Sequence, residues 1–256
     1  MQAQQLTFPT DVRANTIGFA TTGWNRQSTA SSNPAALQYD EGWQISAAVR
    51  NRFLINELFD YGLYGSCAID DLSAVGIQIE HFGFEQFRQQ SFAGSYGRKI
   101  SDRWSIGLRA NYRLVVQEQQ ENASAISADI GLLYQLNDQI LLGVEISPIN
   151  TNFENEISHP IRQKMGMSYR PSKIVSVYMD LHYVDSLNAP WSGGVGFTYD
   201  IFDKINIGLG YRSNPNVFNL GFSWQLSEGL VLNVASSFHQ VLGSSPMGGF
   251  IYQNKN

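Results

Sequence analysis

The chain is poor in cysteine, poor in charge, and without a long apolar run. Cys67 stands alone, which excludes an internal disulfide framework. Its reading here is a small buried or lipid-facing side chain. No uninterrupted hydrophobic stretch approaches the ~18 residues that a membrane-spanning helix needs, so a helical membrane protein is excluded. Charged residues make up 15%, and the net charge is −5. That balance provides no basic footprint, and nucleic acid is not expected as a partner. The histidines His81, His159, His182 and His239 are scattered without metal-ligand spacing. Gly94-Ser95-Tyr96-Gly97 lacks the pattern of a nucleophile elbow, and Gly193-Gly194-Val195-Gly196 reads as strand, not as a phosphate loop. Asp180 and His182 share one face and are the nearest approach to a rim catalytic pair, but a hydrogen-bonded pair accounts for them. No enzyme, metal or cofactor is expected.

Period-two alternation fills residue 43 to the end. In 104–114 every even position is apolar (Trp104, Ile106, Leu108, Ala110, Tyr112, Leu114), while the odd positions hold Ser, Gly, Arg and Asn. A helix would scatter those side chains; a strand sets them on one face. The same pattern predicts fourteen strands at 43–53, 61–69, 73–82, 88–98, 104–115, 124–136, 139–147, 161–170, 174–183, 191–200, 204–212, 217–225, 229–238 and 246–253. Most have about 9–11 residues, the length that crosses a bilayer when tilted, whereas strands of soluble sandwiches are usually nearer five or six.

Two further patterns point the same way. Tight turns at Asn137-Asp138, Pro171-Ser172-Lys173, Phe202-Asp203 and Ser227-Glu228 alternate with longer linkers at 54–60, 116–123, 148–160, 184–190 and 239–245. Short turns on one side and longer loops on the other are the habit of outer-membrane barrels. With the first strand running outward, every tight turn is expected on the periplasmic side. Aromatics gather at both strand ends with the parity of the apolar face: Trp43, Trp104, Tyr134, Tyr169, Tyr199 and Trp224 at one end, Tyr183, Trp191 and Tyr211 at the other. Tryptophan and tyrosine favour the membrane–water boundary. The expected fold is an all-β, transmembrane antiparallel barrel of about fourteen strands in the bacterial outer membrane, bathed in lipid and lipopolysaccharide.

The face opposite the apolar one is polar and small. It carries Gly107, Gly131, Gly143, Gly166, Gly194, Gly196, Gly208, Gly210 and Gly221, which implies that something fills the lumen and needs room. It also carries Arg109, Arg113, Asp129, Glu145, Lys164, Asp180 and Arg212, a lumen polar network of opposite charges or an array that guides a substrate. Leu133, Leu141 and Tyr178 are apolar residues on that inward face.

Residues 1–42 lack alternation and form a separate hatch-like segment before the barrel, 43–256. Met1-Gln2-Ala3-Gln4-Gln5 reads as the small-residue end of a cleaved export signal. Arg13-Ala14-Asn15-Thr16-Ile17-Gly18-Phe19-Ala20, followed by Asn33-Pro34-Ala35-Ala36-Leu37, resembles the opening of the FadL-like outer-membrane barrel superfamily, and most of all its PorV/PorQ-like proteins. Those families begin with an Arg-x-x-x-(small/Met)-Gly-Gly-Ala stretch and then Asn-Pro-Ala-x-Leu. Here Gly18-Phe19-Ala20 replaces the paired glycines, and Asn33, Pro34, Ala35 and Leu37 match the second motif. Units such as Ile106-Gly107-Leu108 and Ile207-Gly208-Leu209-Gly210-Tyr211 are similar to the family's strands.

The resemblance implies fourteen strands with the N-terminal segment inside the lumen as a hatch. Asn33 would cap a turn there and Pro34 would fix the backbone. It implies two roles. One is an accessory subunit of the Bacteroidetes type IX secretion system, working with larger outer-membrane protein partners. The alternative is a FadL-like transporter of hydrophobic small molecules, which needs an apolar pocket and a break in the wall. A structural porin-like barrel with an unplugged lumen is the third reading.

Overall fold

The computed structural model describes residues 9–24, 30–39, 42–118, 122–151, 161–185, 189–202 and 204–254. The export-signal reading at Met1–Gln5, His159, Asp203 of one turn and most of the 148–160 linker lie outside the described residues. Fourteen strands follow one another: β1 (Trp43–Asn51), β2 (Phe59–Asp70), β3 (Ser73–Phe84), β4 (Phe87–Lys99), β5 (Trp104–Gln117), β6 (Ala123–Asn137) and β7 (Ile140–Thr151). They continue with β8 (Arg162–Tyr169), β9 (Val175–Val184), β10 (Trp191–Ile201), β11 (Ile205–Arg212), β12 (Val217–Gln225), β13 (Leu230–His239) and β14 (Gly243–Asn254). Each pairs antiparallel with the next, and β14 pairs with β1 to close the barrel. Closure leaves no free sheet edge along the paired lengths, the condition for a sheet to stand in hydrocarbon.

Side chains divide by parity as the alternation requires. Ile106, Leu108, Tyr112 and Ile130 face outward and are exposed, while Ser105, Arg109, Ser127 and Asp129 face inward and are buried. The molecule is therefore apolar outside and polar inside, the arrangement of a transmembrane barrel. The aromatic rims are built as cross-strand pairs. Trp104 lies opposite Tyr134 with ring centroids 4.5 Å apart, and Trp43 lies 5.5 Å from Tyr252 at the same end. At the other end Tyr183 meets Trp191 at 4.9 Å, and Tyr211 meets Phe218 at 4.9 Å.

The expected loop asymmetry needs correction. Six turns at the end where the N-terminal segment enters β1 are short, but three connections at the opposite end, 85–86, 213–216 and 240–242, are as short. β3 and β4 zip up to Phe84 opposite Phe87, whose rings lie 6.3 Å apart, leaving only residues 85–86 to turn. β13 and β14 pair up to His239 opposite Gly243, so the linker expected at 239–245 shrinks to 240–242. The His239 ring nitrogen accepts from the backbone N–H groups of Val241 (3.2 Å) and Leu242 (3.1 Å), and Gly243 adopts φ +86°. Side-chain capping and one glycine thus replace the longer loop.

The N-terminal segment enters the lumen. Asp11 caps the short helix α1 (Val12–Thr16), its carboxylate accepting from the N–H groups of Arg13 (2.9 Å) and Ala14 (3.1 Å). α1 lies against β11 to β14, and a 3-10 turn at Pro34–Tyr39 lies against β2 to β6. Val12, Ala14, Asn15, Ile17, Ala20, Trp24, and everything from Ala30 to Leu37 are buried.

Candidate functional site: the plugged lumen

The inward glycines are where the plug rests. At Gly107 a Cβ would fall within the backbone of Pro34 and Ala35, at Gly131 on the Asn33 side chain, and at Gly143 on the backbone of Thr22. At Gly196 it would strike Ile17, at Gly194 and Gly210 Gly18, and at Gly208 and Gly221 Thr16. Gly166 is closed by Asp180 and Thr22. All nine inward glycines singled out from the alternation therefore meet the N-terminal segment, directly or with Asp180 between. The plug's backbone lies on the wall's backbone, which no larger side chain permits.

Polar pins fix the register of the plug. The Asn33 amide donates to the backbone oxygens of Thr22 (2.9 Å), Val144 (3.2 Å) and Leu132 (3.3 Å). Its carbonyl accepts from Ala35 N–H at 3.0 Å, so the expected turn cap is present and is also fastened to β6 and β7. Pro34, Ala35 and Leu37 are buried in the turn that follows. The Asp180 carboxylate accepts from Thr22 N–H at 3.0 Å and from the Thr22 hydroxyl at 2.5 Å, and lies 3.3 Å from His182 Nε2. The Asp180–His182 pair is thus a lumen hydrogen-bond pair that also holds the plug.

Four of the inward charges form two cross-strand ion pairs. Arg109 lies opposite Asp129, 3.4 Å away, and Ser147 donates to Asp129 at 2.7 Å. Lys164 lies opposite Glu145 at 2.7 Å. Arg109 also donates to the carbonyls of Ala30 (3.0 Å) and Ser32 and to Ser95 Oγ (3.2 Å), coupling its ion pair to the plug. Arg212 sits over the Phe19 ring, 5.5 Å from its centroid. Arg113 is inward on β5, within electrostatic reach of Glu80 and Asp129. The residues expected in the lumen network are all inward, but they divide into ion pairs and plug anchors.

Leu133 and Leu141 pack on Ala35 and Ala36, and Tyr178 packs on Ile17, Ala20 and Trp24. These inward apolar residues seat the plug. A small cavity of about 10 Å³, the room of a single water, lies between Asp11–Arg13 and strands β1, β13 and β14. Arg13 borders it, donating to Asn233 Oδ1 at 3.4 Å; burial pulls the Arg13 pKa down to about 10, against the nearby charge of Asp11.

Several anchors carry no sequence signal that alternation could reveal. Glu80 accepts from the Tyr64 hydroxyl (2.5 Å) and from Thr10 N–H (3.0 Å). Asp60 receives Arg50 and Arg52, each at 2.7 Å. Ser237 donates to Asn15 at 2.7 Å. Parity places these wall residues inside, but the plug partners of Glu80 and Ser237 lie 70 and 222 residues away in sequence.

No protein-family model matches the chain, and no curated protein matches it in sequence. Solved structures do match in fold. The toluene transporter TbuX of Ralstonia pickettii aligns over 93% of this chain and 97% of its own, with TM-score 0.65 and 12% identity. The toluene transporter TodX of P. putida aligns over 88% and 93%, with TM-score 0.65 and 11% identity. A FadL homologue of Pseudomonas aeruginosa aligns over 91% and 96%, with TM-score 0.57 and 10% identity. The closed, fourteen-stranded antiparallel barrel described above accordingly shares its fold with FadL-like outer-membrane barrels.

Proposed function

We propose that the protein is an outer-membrane channel for small hydrophobic molecules. The observation that carries this reading is the plug seated on the glycine track. A general porin passes polar solutes through an open, watery lumen. Here backbone fills the middle of the barrel, and the solutes best suited to cross are those that need no continuous water path. The likeness over most of the chain to toluene transporters and a FadL homologue supports the same class. So does an irregularity in the wall: the β6–β7 ladder slips register by one residue between Ala128 and Ile130, beside Asp129. Bulges of this kind bend a strand and loosen pairing.

Of the two roles that the N-terminal motif implies, this is the one the comparisons favour. An accessory role in type IX secretion, with larger outer-membrane partners, rests on that motif alone. The test is uptake in a bacterial host stripped of its own hydrophobic-solute channels. The chain should speed entry of toluene several-fold and leave entry of a polar solute of similar size unchanged. Equal entry of both, or of neither, would contradict the reading.

A further inference from the structure

The lipid-facing belt is not level around the barrel. At the end where the plug enters, five of the six turns carry an exposed apolar residue, Leu72, Ile100, Ile174, Phe202 and Leu226, and Leu136 stands at the end of β6 just before the sixth. At the opposite end the described turns differ. Residues 85–86 are Glu and Gln, β5 runs out at Gln117-Glu118, and 213–216 read Ser-Asn-Pro-Asn. Apart from Ile161 at the head of β8, the exposed aliphatics of that end lie in two connections. Leu54 (62% exposed) and Ile55 stand between β1 and β2, and Val241 (82%) and Leu242 stand between β13 and β14.

Those two connections are neighbours across the β14–β1 seam. β14 outruns β1 there: Arg50 pairs with Met247, and β14 continues outward to Gly243. The β1–β2 connection folds over the overhang, with Phe53 N–H donating to Ser245 Oγ at 3.0 Å and its ring 6.1 Å from His239. It is built to hold one shape. Arg52 is clamped on Asp60 by two contacts of 2.7 Å and lies 3.9 Å over the Phe82 ring, and Asn51 donates to the Ile55 carbonyl at 3.0 Å. Within that frame Phe53 and Leu54 both adopt φ near +56°, a conformation that bulky residues rarely take. Strained backbone that survives in a braced loop marks a site where the exposed side chains serve a purpose.

We infer that the β1–β2 and β13–β14 tips form a membrane anchor, inserted among the acyl chains of the outer leaflet. The occupant follows from continuity. Below the tips the same strands present Val49 and Phe238, and at mid-barrel Phe250, outward in the lipid-facing belt. Among the described connections of that end, the four aliphatics extend that belt upward at the seam, with Glu57 and Gln240 beside them to meet the headgroups. The barrel's hydrophobic wall is taller at the seam, and a membrane-embedded wall of uneven height tilts or locally thickens the bilayer. The assignment does not depend on what the barrel transports.

Site-directed spin labelling tests it on the full chain in phosphatidylcholine–phosphatidylglycerol vesicles. Labels are placed by Leu54→Cys and Val241→Cys in a Cys67→Ser background. Leu63→Cys on β2 serves as the hydrocarbon reference and Gln86→Cys as the aqueous one. Collision with oxygen against a water-soluble nickel chelate should favour oxygen several-fold at 54 and 241, as at 63, with the reverse at 86. Two results overturn the anchor. One is labels at 54 and 241 that behave like 86. The other is labels shielded from both reagents, which would assign the patch to contact with a second copy of the chain.

Discussion

The wall holds its plug in two different ways. From β5 to β12 nine glycines let the N-terminal segment lie directly on the wall, and Arg109, Asp180, Leu133, Leu141 and Tyr178 reach it between them. From β13 through β14 and β1 to β3 the wall reaches inward with side chains: Asn233, Met247, Tyr64 and Glu80 meet α1 and its flanks. The small cavity falls in this second sector. Close contact on glycine leaves no gap to fill and no room to adjust, whereas packing through side chains alone leaves a void and tolerates rearrangement. The glycine sector fixes where the plug sits, and the side-chain sector accommodates what remains.

Substitutions can break that contrast in order of size. Gly107→Val and Gly131→Val together should be the most disruptive, because each side chain would occupy space held by Pro34, Ala35 or Asn33. Overpacking costs about 1–3 kcal/mol per site. The expected result is a plug that no longer seats, read as protease cleavage within residues 9–39 while the barrel stays folded. Asn33→Ala comes next. It removes the donor to Leu132, Val144 and Thr22 and the acceptor for Ala35, at about 2–3 kcal/mol for buried groups left unpaired. Hydrogen exchange at residues 30–37 should quicken markedly.

Asp180→Asn should cost less, about 1–2 kcal/mol, because the amide still accepts one bond from Thr22. A double-mutant cycle with Thr22→Val should show coupling; additive effects would mean that the pin carries no energy. In the other sector Met247→Leu should be the mildest, below about 1.5 kcal/mol by urea unfolding, since a volume-conserving swap beside a void repacks. If Met247→Leu proved as costly as the glycine pair, the two sectors would not differ.

The wall was legible in sequence because a strand has an exact period and a membrane barrel enforces it on both faces. All fourteen strands stand where alternation placed them, and Arg109, Asp129, Glu145, Lys164, Asp180 and Arg212 point inward as their parity requires. The ends were less legible. Turns at 85–86 and 240–242 look like longer loops because alternation fades at Gly83-Phe84 and at Gly243-Ser244-Ser245, and only the pairing of Phe84 with Phe87 and of His239 with Gly243 shows them zipped. The glycines announced that the lumen was crowded without saying by what.

The pins were hidden for a different reason. Arg109 donates to the carbonyls of Ala30 and Ser32, and Asn33 to those of Leu132 and Val144. A backbone acceptor is present at every residue, so it leaves no mark in composition. Leu133, Leu141 and Tyr178 were visible as inward apolar residues, but whether they face a ligand or a plug is settled only by the chain that lies on them.

Single-channel recording in planar bilayers tests the filled lumen most directly. The intact chain should give a quiet baseline without steady ohmic conductance, and the Gly107→Val, Gly131→Val pair should open a stable pore. A large, steady conductance from the intact chain, unchanged by that pair, would contradict the account.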